Sequence, residues 1–274
     1  MFPLGDGHAG PVSLRAEALI AEGGAADVFG WDFSFLTGRA SEERPPWGYA
    51  VALADRLGQV RSALDIQTGG GEVFGFALAR ATRVPTRAVA TESYAPNAAL
   101  ARSHLTALGV EVLEVGDDAP IPLPDSSMEL VASRHPVTNN WSEIARVLGP
   151  GGRFFSQQIG AGTNAELTDF LMGPQPVDPA RRPDRAVAAA KAAGLVVTNV
   201  REATLRVEFF DVGAVVYFLR KVCWTVPGFS PERYHDELVA MQGHIERHGA
   251  FVCHSCRFLF EADKPIAATP AARR

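Results

Sequence analysis

The residues best suited to chemistry in this chain lie where an apolar strand pattern ends, in Leu64-Asp65-Ile66-Gln67-Thr68-Gly69-Gly70-Gly71. An acid is followed by a glycine-dense turn, which runs directly into a helical pattern over Glu72–Arg80. Glycine lets the main chain turn sharply and leaves bare backbone against which a nucleotide-like ligand can lie, although such turns are also ordinary punctuation after strands. A phosphate-cradling loop requires a Gly-Lys-Ser/Thr ending, and none follows here. A dinucleotide fingerprint, G-x-G-x-x-G, takes Gly69 and Gly71 for its first two positions, but its third falls on Phe74 and Gly75 comes one residue late. Glu92 closes the next strand pattern, Arg87–Thr91, and lies 21 residues after Gly71. A carboxylate at about that distance binds ribose hydroxyls in a nucleotide-binding βαβ unit. An acid there equally suits the start of the helix that runs on through Leu108.

A second group of candidate ligands lies near the C-terminus. His244 and His248 share a helix face, and Cys253-Val-Ser-Cys256 follows, together a donor set that zinc accepts. Cys256 enters the final strand pattern, where alternation constrains it, and we expect no metal. Three cysteines in 274 residues form no disulfide framework, and no basic segment followed by an apolar core opens the chain. We therefore expect a cytoplasmic protein. No apolar run approaches the ~20 residues of a membrane span. The net charge of −5, with arginine pairs but no basic block, argues against a nucleic-acid partner.

The elements that must position these residues alternate strand and helix with short Gly/Pro punctuation, an α/β doubly wound pattern. Val110–Val115 alternates as a third strand, and Met128–Ser133 is apolar enough for a buried fourth. Glu143-Ile144-Ala145-Arg146-Val147-Leu148 is helical, and Gly149-Pro150-Gly151-Gly152 reads as a helix stop and turn before a fifth strand, Arg153–Ile159. Helices follow over Thr163–Met172 and Arg185–Ala193, then a strand over Leu195–Phe210 with a turn or bulge inside. Asp211 suits the N-cap of a buried helix from Val212. A further helix spans Glu232–His248 after the Ser230-Pro231 start signal, and Phe258–Glu261 is the last strand.

This ordered set resembles class I S-adenosylmethionine (AdoMet) methyltransferases of the small-molecule type. Asp65, Gly69 and Gly71 match the family's hydrophobic-acid-hydrophobic-G-x-G-x-G motif, with Gln67 standing where its first glycine usually is. The Glu-x-x-Arg-Val-Leu-x-Pro-Gly-Gly segment at 143–152 is the sharpest point of likeness. The resemblance implies a Rossmann-like seven-stranded sheet with N-terminal helices and an insertion between strands 6 and 7. It divides the chain into a tail and helical cap (1–60), a methyltransferase domain (61–263; cofactor half about 61–160) and a terminal tail (264–274).

It also implies roles. AdoMet would be held by Asp65, Gln67, Thr68, Gly69, Gly71, Glu92, Ser93 and Ser133, with Asp117 or Asp118 reading the adenine; the residues do not decide between those two. Gln67 is expected to bond the methionyl end. Strand 4 ends Ser133-Arg134-His135, beside the donor group in this fold. His135 is the best base by position and by its near-neutral intrinsic pKa, and Arg134 would hold an anionic acceptor or the cofactor carboxylate. Trp31, Phe35, Trp47, Tyr49, Gln157, Tyr217 and Arg220 would shape the acceptor pocket. Gln157 and Gln158 end strand 5, and alternation sends one of them toward the cleft without saying which. The expected activity is methyl transfer from AdoMet to a small molecule. An rRNA methyltransferase, or a cofactor-binding protein with a non-methylating role, is the alternative.

Overall fold

The computed structural model describes residues 11–30 and 32–266. In chain order it contains α1 (Pro11–Ala25), β1 (Ala40–Glu42), α2 (Tyr49–Leu57), β2 (Ser62–Ile66), α3 (Glu72–Arg80), β3 (Arg87–Glu92), α4 (Ala95–Leu105), β4 (Val110–Glu114), β5 (Met128–Arg134), α5 (Trp141–Val147) and β6 (Leu148–Ile159). There follow α6 (Ala165–Met172), α7 (Pro183–Ala192), β7 (Val196–Phe209), α8 (Val212–Lys221), α9 (His235–His248) and β8 (Phe251–Asp263). Two compact units divide these elements. One comprises residues up to 43, 164–177 and 205–255; the other comprises 44–163, 178–204 and 256 onward. Each is assembled from separate stretches of chain, so no single cut separates them.

The larger unit is built on strands in the order β7-β8-β6-β5-β2-β3-β4. Strands β2 to β6 pair in parallel, and β8 pairs antiparallel with β6. This is the expected seven-stranded, doubly wound sheet. Its central strands β2, β3 and β5 are buried on both faces, which is why they read as nearly continuous apolar runs. Successive residues face opposite ways. Ala63, Ala88, Ala90, Ala132, Phe155 and Leu259 pack with α2 and α3 on one side. Leu64, Val89, Val131, Phe154 and Phe260 pack with α5 on the other.

The Glu143–Arg146 pair is a clamp. Arg146 makes two bonds to Glu143 and also donates to the carbonyls of Ile121 and Leu123 and to Asp125, each at 2.7–2.8 Å. Glu143 accepts from the Ile121 amide at 2.7 Å. Arg146 therefore holds the Glu143 carboxyl below its usual range. The motif ties residues 121–125 to α5 and is structural.

The smaller unit packs α1, α6, α8 and α9 around Leu167, Val215, Leu219, Leu238, Met241 and Phe251. Asp211 caps α8 as expected, accepting from the Ala214 amide at 2.9 Å. The helices α8 and α9 form the anticipated insertion between the last two core strands. β1 was not foreseen. It pairs antiparallel with the end of β7, Ala40↔Phe209 to Glu42↔Val207, and three residues are too few to display a period.

Several boundaries differ from expectation. The Gly149–Gly152 segment is not a free turn before the strand, because Leu148 already has extended backbone and β6 begins there. Gly152 is close-packed within it: a Cβ would lie 2.9 Å from the Gly149 carbonyl oxygen. β7 is one continuous 14-residue strand. β8 begins at Phe251, seven residues earlier than its strongest apolar run suggests, because its first half alternates buried and half-buried positions. α9 begins at His235, and Pro231–Tyr234 is turn. No helix among the described residues is long and apolar enough to cross a membrane.

The glycine turn gives a discriminating test. Gly69 and Gly71 both have positive φ, 64° and 83°. A Cβ at Gly69 meets nothing within 4 Å, whereas one at Gly71 would lie 2.8 Å from the Leu105 side chain. Gly69→Ala should cost about 1–2 kcal/mol from backbone strain alone. Gly71→Ala should cost about 2–4 kcal/mol, because overpacking adds to that strain. Urea denaturation of both variants checks the order, and equal losses would contradict it.

Candidate functional site

The ends of β2, β3 and β5 bring the glycine turn, Glu92 and the residues after β5 together. Glu92 is buried and each of its oxygens has a backbone partner. Oε2 accepts from the Gly69 amide at 2.8 Å and Oε1 from the Tyr94 amide at 3.0 Å. Thr68 donates its amide to the Thr91 carbonyl at 2.9 Å and its hydroxyl to Asp65 Oδ2 at 2.6 Å. Ser93 is exposed. Asp65 is buried, and burial raises its pKa to about 7. The Thr68 hydroxyl opposes that rise, the nearby Glu92 charge adds to it, and Arg134 opposes it.

Ile66, Gln67, Thr91, Asp117, Thr138 and Asn140 line a cavity of about 20 Å³ beside this turn, which is room for about one water. Asp117 is half-buried and its Oδ1 has no hydrogen-bond partner, while Asp118 is exposed and does not line the cavity. A buried acceptor without a donor is costly, so Asp117 is the member of the pair with a demand for a ligand. Ser133, at the end of β5, is likewise fully buried with an unpartnered hydroxyl. Gln67 does not face solvent. Its amide bonds the main chain of residues 137 and 138.

On the opposite face of the sheet, a chain of polar groups links Trp47, Gln157 and His135. The Trp47 indole N–H donates to Gln157 Oε1 at 2.7 Å. An indole nitrogen can only donate, so the amide orientation is fixed. Gln157 Nε2 then points at His135 Nε2, 2.8 Å away, and must donate to it. His135 is therefore neutral, with its proton on Nδ1. Burial pushes its pKa well below 6.5, and the charges of Arg134 and Arg257 push the same way. Its backbone has positive φ, 56°, and its amide donates to the Gln157 carbonyl at 2.7 Å. A lone pair already engaged by Gln157 does not suit the proton acceptor expected at His135. The geometry makes it a fixed neutral imidazole.

Gln157 is thus the strand-end glutamine that faces His135, and Gln158 accepts from Asn139 at 3.1 Å. Tyr49 stacks on Phe155, 4.9 Å between ring centroids, with its hydroxyl against the Ser133 backbone. Burial first, then the Asp65 charge, raises the Tyr49 pKa well above 10. The guanidinium of Arg201 lies 5.8 Å from the Trp47 ring centre. Arg134 is exposed, and its charge is felt by Asp65, Tyr49 and His135 alike.

Other expected residues have structural partners within the smaller unit. Phe35 stacks on Tyr217 at 4.6 Å, and the Tyr217 hydroxyl donates to the Asp32 carbonyl at 2.7 Å. Arg220 donates to the carbonyls of Gly23 and Ala26 at the end of α1, satisfying groups that a helix terminus leaves open. Trp31 lies outside the described residues. His244 and His248 stack on each other at 4.2 Å, and Cys253 is buried with its thiol pushed up to about 12. Among the described residues no three such side chains come together around a point a metal could occupy.

Sequence reasoning missed Thr138, Asn139 and Asn140. A signal existed for one of them: Asn140 precedes Glu143 by three, a capping-box spacing, and Asn140 Oδ1 accepts from the Glu143 amide at 3.3 Å. The proximity of Arg257 to His135 follows only from the β6–β8 pairing.

The strand order is that of a Rossmann-like methyltransferase fold with one extra strand. Solved structures bear this out. A candidate methyltransferase from Bacillus halodurans C-125 superposes with TM-score 0.56 at 16% identity, over 79% of this chain and 98% of that one. The YcgJ protein from Bacillus subtilis gives 0.56 at 15% identity, again over 79% and 98%. A functionally unknown protein from Deinococcus radiodurans R1 gives 0.55 at 14%, over 82% and 90%. These identities speak for the fold alone. No family model and no curated protein matches the sequence.

Two outcomes follow from the titrations. Nitrogen-15 NMR should show His135 protonated on Nδ1 and neutral at about pH 6, below its ordinary 6.5; an imidazolium signal there would refute the assignment. Asp65 keeps its proton up to about 7 when folded, against an ordinary 3.8. The folded chain therefore binds more protons than the unfolded one between those values, and stability falls as pH rises through that window. Asp65→Asn should flatten this part of the stability profile, measured by urea titration at about pH 4.5 and 7.5.

Proposed function

We propose that the protein is an AdoMet-dependent methyltransferase acting on a small molecule. The observation that carries this reading is the convergence of Asp65, Gly69, Glu92, Asp117 and Ser133 at the ends of adjacent strands, with Asp117 Oδ1 and Ser133 Oγ buried and unpartnered. An orphaned acceptor beside a cavity, at Asp117, and an orphaned hydroxyl at the end of β5, at Ser133, call for a polar ligand, and open space above Gly69 leaves backbone accessible to it. Asp117, Glu92, Ser93 and the turn Thr68–Gly71 would hold the nucleoside, and Asp65 and Ser133 the methionyl end. AdoMet supplies an electrophilic methyl group for in-line displacement.

The chain's own part is alignment. Gln157, locked by Trp47, and the neutral His135 offer fixed hydrogen-bonding groups to an acceptor, with Trp47 and Tyr49 as walls and the positive charge of Arg134 nearby. The acidic balance of the chain favours a small molecule over RNA. A cofactor-binding protein that does not methylate is the second reading, and the engaged lone pair of His135 favours it.

Titration calorimetry should give micromolar binding of S-adenosylhomocysteine, weakened about tenfold or more by Glu92→Ala and by Asp65→Ala, as expected for the loss of at least one hydrogen bond to the ligand. No heat at millimolar ligand would end the cofactor reading. Incubation with methyl-labelled AdoMet and cell extract should move label into the small-molecule fraction. Label in RNA would point to an RNA methyltransferase, and binding without any transfer would favour the second reading.

A further inference from the structure

Gln67 occupies a position whose backbone suits glycine. Its φ is 55°, in the left-handed region, where a long unbranched side chain is uncommon. Its side chain reaches across to the segment after β5. Nε2 donates to the Thr138 carbonyl at 2.9 Å and Oε1 accepts from the Val137 amide at 2.6 Å. Both ends of the amide are therefore used, in a two-point bridge between the glycine turn and residues 137–138. Thr138, Gln67 and Asp117 line the same small cavity.

A nucleoside-sized ligand does not fit a space of about 20 Å³. Gln67 is one of the residues that line it, and its side chain ties two of its walls together.

We propose that Gln67 is an internal latch on the cofactor cleft: its bridge holds residues 137–138 against the glycine turn, and the cleft admits a nucleoside ligand only when the bridge opens. This rests on the cofactor reading above and replaces the expectation that Gln67 bonds the methionyl end. A protein whose competent form is a minor fraction binds its ligand more weakly by that fraction. The latch therefore lowers affinity, and removing it raises affinity. Gln67→Gly removes both the bridge and the backbone strain; Gln67→Ala removes the bridge and keeps the strain. Gln67 belongs to the site's structure and not to its proton chemistry, so affinity and amide exchange are the proper readouts.

The test combines calorimetry with S-adenosylhomocysteine and hydrogen exchange on the full chain. Wild type should protect the Val137 amide, and both variants should lose that protection by about tenfold or more, as expected when a hydrogen-bonded amide on an exposed residue is released. Both variants should also bind S-adenosylhomocysteine about tenfold more tightly, the ratio that corresponds to about 1.4 kcal/mol. Equal binding by the variants, with wild type still binding, overturns the latch, and weaker binding overturns it and restores Gln67 as a direct ligand; both leave the cofactor reading intact. An unprotected Val137 amide in wild type overturns it as well. No binding by any of the three proteins at millimolar ligand overturns the cofactor reading and, with it, the gate.

Discussion

The site depends on what one buried carboxylate does to two turns. Glu92 receives the Gly69 amide on one oxygen and the Tyr94 amide on the other. The glycine turn and the start of α4 are thereby fixed to each other through a group that would be costly to bury alone. The Glu92 carbonyl also accepts from the Val115 amide at 3.0 Å, which brings the segment carrying Asp117 into the same arrangement. Three loops that share no sequence neighbourhood are ordered by a single residue at the end of β3. Its negative charge also helps keep the proton on Asp65.

The two faces of the sheet then divide the work. One face carries the small cavity, lined by the unpartnered Asp117 acceptor that a polar ligand would satisfy. The other carries a chain of hydrogen bonds that is complete in itself, from an indole donor through an amide to an imidazole. The first is a place of unmet demand and the second a place of fixed orientation.

Much of this was legible because it is local. The strand–turn–helix at 62–80, the 21-residue step to Glu92 and the cap at Asp211 are set by neighbours in sequence, and they stand where their patterns indicate. The Arg-Val-Leu segment identified the right architecture, though its arginine serves the 121–125 loop and its Gly-Pro-Gly-Gly follow-on is already strand. What stayed hidden is what pairing across the sheet decides. Trp47 and Gln157 were both expected to line a pocket, yet nothing in their spacing of 110 residues announces a bond between them. The state of His135 depends on that bond, so its proton could not be placed from its own type. Gln67 was visible as a departure from glycine; its direction was not, because its partners are main-chain atoms some 70 residues on.

Arg146 has a consequence of a different kind. It fastens the 121–125 segment chiefly by backbone carbonyls, those of Ile121 and Leu123, with Glu143 steadying it from below. A grip on main-chain oxygens does not depend on the exposed side chains at 122 and 124, whereas Ile121 and Leu123 are held in the core. The exposed positions can change over evolutionary time without the loop losing its address, while Ile121, which lines the cavity, is kept in place by the packing behind it.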